Sequence, residues 1–138
     1  MADQLERFVR AQEPVYAQVL AELERGRKTS HWMWFIFPQV AGLGMSPMSQ
    51  RYAIAGLPEA RAYLEHPVLG PRLLECSQLV ADAEVDSAHT IFGGIDTVKL
   101  RSSMTLFARA DHGVDSVFDT VLTRWFDSQE DPETLARL

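Results

Sequence analysis

The chain has 138 residues, 46% of them hydrophobic, and a formal net charge of -6. That length suits one domain with a sizeable core, and the acidic balance excludes general nucleic-acid coating, which needs a basic footprint. A single cysteine, Cys76, excludes an internal disulfide.

In chain order, the pattern reads as helices joined by short turns. Leu5, Phe8 and Val9 make an apolar stripe. Glu13-Pro14 restarts the chain, because proline suits the first turn of a helix. Val15, Val19, Leu20 and Leu23 then recur at helical spacing, and Gly26 fits the stop. Ser30 is placed to cap a short helix beginning at His31, which Pro38 ends. The residues up to Ser49 read as an irregular loop punctuated by Gly42, Gly44 and Pro47. Short helices follow over Ser49 to Ala55 and Leu57 to Leu64, then a longer one from Pro67 through Val80. In that helix Cys76 reads as a buried structural thiol. Ser87 caps a segment to Phe92, Gly93-Gly94 breaks it, and Ile95 to Ala110 is the next strong helix. Val114 to Phe126 and a last turn opened by Asp131-Pro132-Glu133 complete the pattern. The expectation is an all-α, compact single-domain helix bundle over residues 1–138. The run WMWFIF is rich enough in β-formers for a strand, but a lone strand has no partner here.

The stretch Gly26 to Gly44 packs Trp32, Trp34, Phe35 and Phe37 into six residues. Such a density must be buried, and the polar groups flanking it are carried to the wall of whatever it packs against. Lys28, Thr29, Ser30 and His31 precede it and Gln39 follows. His31 is a candidate acid/base or stacking group, and Gln39 a candidate reader of an amide or base edge. Trp32 and Trp34 face roughly opposite ways on a helix, so one is core and the other is free to line a pocket.

The helix IDTVKLRSSMTLFARA carries a second cluster. Leu100, Met104 and Phe107 share a face. Asp96 and Ser103 fall on or beside it, and Lys99 lies at its edge. Polar groups there need partners. A local Asp96–Lys99 pair supplies one account. A pocket wall carrying a carboxylate, an ammonium and the hydroxyls of Ser102 and Ser103 supplies the other. Gly94 adds free backbone N–H groups near the helix start, a weak anion seat. Lysine occurs only at positions 28 and 99 among 13 basic residues, one in each unusual segment. Arg51 and Tyr52, just after the glycine loop, are placed either to close over an anion or to make a surface salt bridge. His66 reads as a helix-boundary residue. His89 and His112 show no metal-ligand spacing. No metal or cofactor is expected.

The strings GRKTSHWMWFIFPQVAGLGMSPMSQRYAI, EARAYLEHPVLGPRLLEC and IFGGIDTVKLRSSMTLF resemble the uncharacterised bacterial domain-of-unknown-function family 1810, from Leu5 to about Leu135. The resemblance implies a mostly helical domain and no established activity. In layout the chain is also similar to the NAD- and ADP-ribose-associated N-glycosidase superfamily, with an aromatic-Gln block early and a Gly-rich block entering a helix late. The acidic-Trp-Gly string of that superfamily is not matched by FGGID. That likeness implies a lysine acting on a ribose carbon, for which Lys99 or Lys28 is the candidate, with Asp96 assisting.

Two functions are therefore in play. In the first, a small anionic nucleotide- or ADP-ribose-like ligand is bound, and on the enzymatic version hydrolysed by an N-glycosidase-type reaction. Its pocket lies between residues 31–39 and 95–110. Lys99, Asp96 and His31 are the catalytic candidates, and Lys28, Trp32, Gln39, Ser102, Ser103 and Gly94 the binding ones. In the second, the chain is a non-catalytic interaction domain. The start MADQLERFVRAQ lacks the apolar core of a signal peptide and no apolar run reaches the roughly 18 residues of a membrane span. The expected location is the cytoplasm, away from the membrane.

Overall fold

In the computed structural model, residues 2–111 and 116–138 are described. The helices are α1 (Ala2–Gln12), α2 (Tyr16–Arg25), α3 (Met33–Ile36), α4 (Pro47–Arg51), α5 (Leu57–Glu65), α6 (Leu69–Asp82), α7 (Ala88–Ala110), α8 (Val117–Phe126) and α9 (Pro132–Leu135). Among the described residues the only extended pairing is one parallel bridge between Val40 and Ile54. None of their helices is long and apolar enough to cross a membrane. The fold is all-α.

Side-chain caps set several starts. The hydroxyls of Ser46, Ser87 and Ser116 accept from the backbone N–H groups of Ser49, Thr90 and Asp119, and the Asp131 carboxylate accepts from Thr134. Each satisfies an otherwise orphaned donor. At the α5–α6 junction the cap is a histidine. His66 Nδ1 accepts from the N–H groups of Val68 and Leu69 at 3.1 and 3.2 Å, so the helix starts two residues after Pro67. Gly26, with φ of 73°, closes α2 in the left-handed conformation.

Three local expectations need correction. Ser30 does not cap α3, because its hydroxyl is taken by Glu22 at 2.6 Å, and the helix begins at Met33. The helix expected from Ser49 sits earlier, at Pro47–Arg51, because Ser46 caps it. Glu13-Pro14 forms a turn, and α2 opens at Tyr16. The expected start of α8 at Val114 and His112 both lie outside the described residues.

The core is organised by aromatic contacts. Tyr52, Phe8, Tyr63, Phe107 and Phe118 form a chain of neighbouring rings, with centroids 5.2–5.9 Å apart, that ties α1, α5, α7 and α8 together. Such pairs add to area burial through their edge and face electrostatics. The buried amide of Gln12 donates to the Phe35 carbonyl at 2.8 Å and the Tyr63 hydroxyl at 3.0 Å, so the end of α1 is locked to α3 and α5. Helices α7 and α8 pack on each other and on α5 and α6. Gly70 lets α6 approach the end of α5, where a Cβ would meet the Leu64 carbonyl oxygen at 2.1 Å.

Candidate functional site

The site is built on the turn after α2. Glu22 projects from the apolar face of that helix and is fully buried. Its carboxylate accepts from the backbone N–H of Thr29 (2.7 Å) and of Ser30 (3.0 Å), the Ser30 hydroxyl, Trp32 Nε1 (3.0 Å) and Gln18 Nε2 (2.8 Å). Burial pushes the Glu22 pKa up, and these hydrogen bonds more than reverse it, to about 2. The carboxylate therefore folds the segment 26–32 around itself.

That fold fixes the aromatic block. Trp32 is buried against Phe37 and Phe92, with centroids 6.3 and 6.5 Å away. Lys28 donates its backbone N–H to the Ile91 carbonyl at 2.8 Å, which joins the turn to the first leg of α7. The helix then kinks at Gly93, where φ is 77° and ψ is 179°. Past the kink, the second leg presents Asp96 to Lys28.

The charged groups converge there. Lys28 Nζ lies 2.8 Å from Asp96 Oδ2, and Lys99 Nζ lies 3.8 Å from Asp96 Oδ1. Each ammonium also faces an indole, Lys28 over Trp32 at 5.0 Å and Lys99 over Trp34 at 5.1 Å. The Lys28 side chain is 8% exposed, against 21% for Lys99 and 20% for Asp96. Lys28 is thus an inner anchor, while Lys99 and Asp96 reach solvent. Two ammoniums on one carboxylate leave a local positive excess in a chain of net charge -6.

Beside this cluster lies an open cavity of about 340 Å³, lined by Gln39, Leu43, Gly44, Ser49, Ile95, Val98 and Lys99. Its size is in the range of small-ligand sites. A larger cavity of about 570 Å³, between α1 and the start of α5, has Glu59 and His66 as its titratable lining groups and holds none of this cluster. Chemistry, not volume, singles out the smaller one. Among the described residues, no group of three or more His, Cys, Asp or Glu is arranged to hold a metal ion.

Of the candidates, Gln39 and Lys99 line the cavity. Lys28 and Asp96 join Lys99 through the ion pairs without lining it, and Ser102, Ser103, His31 and Gly94 lie elsewhere. Trp32 is enclosed in the core at 1% exposure beneath Lys28, while Trp34 is partly buried and faces the cavity-lining Lys99 without lining the cavity itself. His31 is exposed and does not line it. Gly94 is exposed and also outside the lining. The Ser102 hydroxyl donates to Asp131 Oδ2 at 2.8 Å, which clamps α7 to the start of α9. Burial raises the Asp131 pKa, and hydrogen bonds from Thr134 and Ser102 hold it below the usual carboxylate range. Ser103 is fully buried, and its hydroxyl has no partner among the described residues. Neither serine faces the cavity because both lie on the packed side of α7.

Glu22 is the residue that sequence reasoning passed over. Its signal was present: a carboxylate three residues after Val19 and next to Leu23, intruding on the apolar stripe of α2. Cys76 is buried, and burial pushes its thiol up to about 12. It is therefore an inert core group at neutral pH.

This is an all-helical protein with an aromatic block and a lysine–aspartate–lysine cluster at the mouth of a cavity. The chain belongs to the family described as "Protein of unknown function (DUF1810)", which it matches over residues 2–138. It is similar to the conserved hypothetical protein Rv1873 from Mycobacterium tuberculosis, known from a crystal structure. The two share 52% identity over 97% of this chain and 95% of that one, with a TM-score of 0.94. No curated protein matches.

Proposed function

We propose that this chain binds a small anionic ligand of the nucleotide or ADP-ribose class in the cavity beside Lys99. The observation that carries this reading is the convergence of the chain's two lysines on Asp96. An isolated ion pair needs one cation. A second, partly exposed and held against Trp34, is surplus to pairing and free to meet an anion. Gln39 offers an amide to a polar ring edge, and Ile95 and Val98 offer apolar surface to a ring face. Both are largely exposed, at 76% and 63%.

On the enzymatic version, N-glycosidic cleavage passes through an oxocarbenium-like state, and Asp96 is the carboxylate that would face its positive charge. Lys99→Arg keeps the charge and loses the amine, so it separates anchoring from nucleophilic roles.

The test is thermal unfolding with ADP-ribose, mononucleotides and ribosylated bases. A ligand at 100 times its Kd stabilises the native state by about 2.7 kcal/mol, which raises the melting temperature of the wild type. Lys99→Ala should lose that rise. If no compound shifts the wild type, the interaction-domain reading takes over, with the exposed Ile95 and Val98 as its contact surface.

A further inference from the structure

A third cavity, of about 420 Å³, opens between α1 and α4. Arg7, Arg10 and Arg51 line it together with Glu6, Ala11 and Tyr52. Three of the chain's 13 basic residues thus meet in one concavity of a protein whose net charge is -6. Three guanidiniums against one carboxylate in the lining leave a positive excess.

The three differ in how they are held. Arg7 is fixed. Its Nε donates to the Arg51 carbonyl and its Nη2 to the Ala53 carbonyl, both at 2.8 Å, while Nη1 bonds to the Gln4 carbonyl. Its guanidinium also lies 4.4 Å from the Phe8 ring centroid and 3.6 Å from Glu59. Arg7 therefore builds the wall. Arg10 and Arg51 are exposed, and among the described residues neither has a carboxylate within ion-pair distance. The Arg51 guanidinium rests 5.5 Å from the Tyr52 ring centroid. Tyr52 in turn is buried against Phe8 and Phe35, so this platform is rigid. The surface salt bridge that the sequence allows for Arg51 does not form among the described residues. Arg51, resting on a packed aromatic, and Arg10, exposed on the same lining, share the concavity with Arg7, and the mutual repulsion of these guanidiniums is what a bound anion relieves.

We infer that this cavity is an anion site for a phosphate-bearing small molecule, distinct from the cavity beside Lys99. Guanidinium forks match phosphate oxygens two at a time. Two free forks facing one cavity suit a group that presents several oxygens of high charge density, and a diphosphate satisfies them better than a monocarboxylate.

The experiment is calorimetric titration of the full chain with inorganic pyrophosphate, inorganic phosphate and succinate. It is done in the Lys99→Ala background, so that the other cavity cannot supply the signal. Pyrophosphate should bind most tightly and succinate least. Arg51→Ala and Arg10→Ala should each weaken pyrophosphate at least tenfold, and the double variant should abolish binding. Both side chains are exposed, so circular dichroism and melting temperature should match the parent. Affinity should also fall steeply with added salt. Absence of pyrophosphate binding overturns the inference. So does binding that both arginine variants retain. Equal affinity for succinate and pyrophosphate overturns the assignment to phosphate. The outcome is independent of any nucleotide effect at Lys99, so one site can fail while the other stands.

Discussion

At the scale of single residues, Glu22 shows how a buried charge organises a segment. Five donors surround it, so its ionised form is the one the fold accommodates. Its folded-state pKa, about 2, lies below the ordinary value of 4.5. The contribution is therefore fully present above about pH 4.5 and is lost as pH falls through 2. A depression of this size corresponds to roughly 3 kcal/mol. Glu22→Gln should lower stability at pH 7 by a comparable amount, because the amide turns N–H groups toward donors and leaves several unmatched. Denaturant unfolding followed from pH 7 to pH 2 checks this. The wild type should lose stability between pH 4.5 and 2, and the variant should lose less over that window. Parallel curves would assign the acid sensitivity to other carboxylates, such as Glu130 and Asp131, which are also held low by hydrogen bonds.

At the scale of elements, α7 places the site because it bends. Gly93 has φ of 77° with ψ of 179°, a region essentially reserved for glycine. A Cβ there would meet nothing within 4 Å. The cost of Gly93→Ala is thus a backbone cost alone, about 1–3 kcal/mol. Gly94 has no positive φ, and a Cβ would lie 3.7 Å from His89 Cε1, an ordinary contact. Gly94→Ala should be neutral or slightly stabilising. Unfolding midpoints of the two variants give the comparison, and equal losses would show that the bend is not held by Gly93. The break at Gly93-Gly94 was legible in the sequence, as were the Ser87 cap and Asp131-Pro132, because glycine, proline and capping residues act locally; the Ser46 and Ser116 caps were not read. The start of α3 was not. Whether the Ser30 hydroxyl caps a helix or bonds to Glu22 depends on a contact eight residues back, and local pattern carries no trace of it.

At the scale of the whole molecule, the aromatic block serves the core on one side and the candidate site on the other. The sequence reading split the two indoles but put Trp32 at the pocket and Trp34 in the core, whereas Trp32 is enclosed and Trp34 only partly buried; a four-residue helix that begins after Trp32 has too short a period to orient two indoles. It likewise placed Ser102 and Ser103 near a pocket, because the helical face it measured continues into the core of α7 where only tertiary packing separates wall from interior. The convergence of Lys28 on Asp96 needed the Lys28–Ile91 backbone hydrogen bond, a contact between distant segments. The division of labour is testable. Trp32 is enclosed and donates Nε1–H to Glu22, so Trp32→Ala should cost at least the roughly 3–5 kcal/mol typical of a buried aromatic. Trp34 is only partly buried, and Trp34→Ala should cost about 1–2 kcal/mol of apolar burial. Lys99→Ala removes partly exposed pairings and should cost under about 1 kcal/mol. The last two variants should therefore fold, and under the binding proposal both should lose the ligand-induced rise in melting temperature. Chemical denaturation of the three, run beside the ligand screen, makes the distinction. If Trp34→Ala proves as damaging as Trp32→Ala, the block is packed on both faces, and no aromatic surface remains for a ligand beside Lys99.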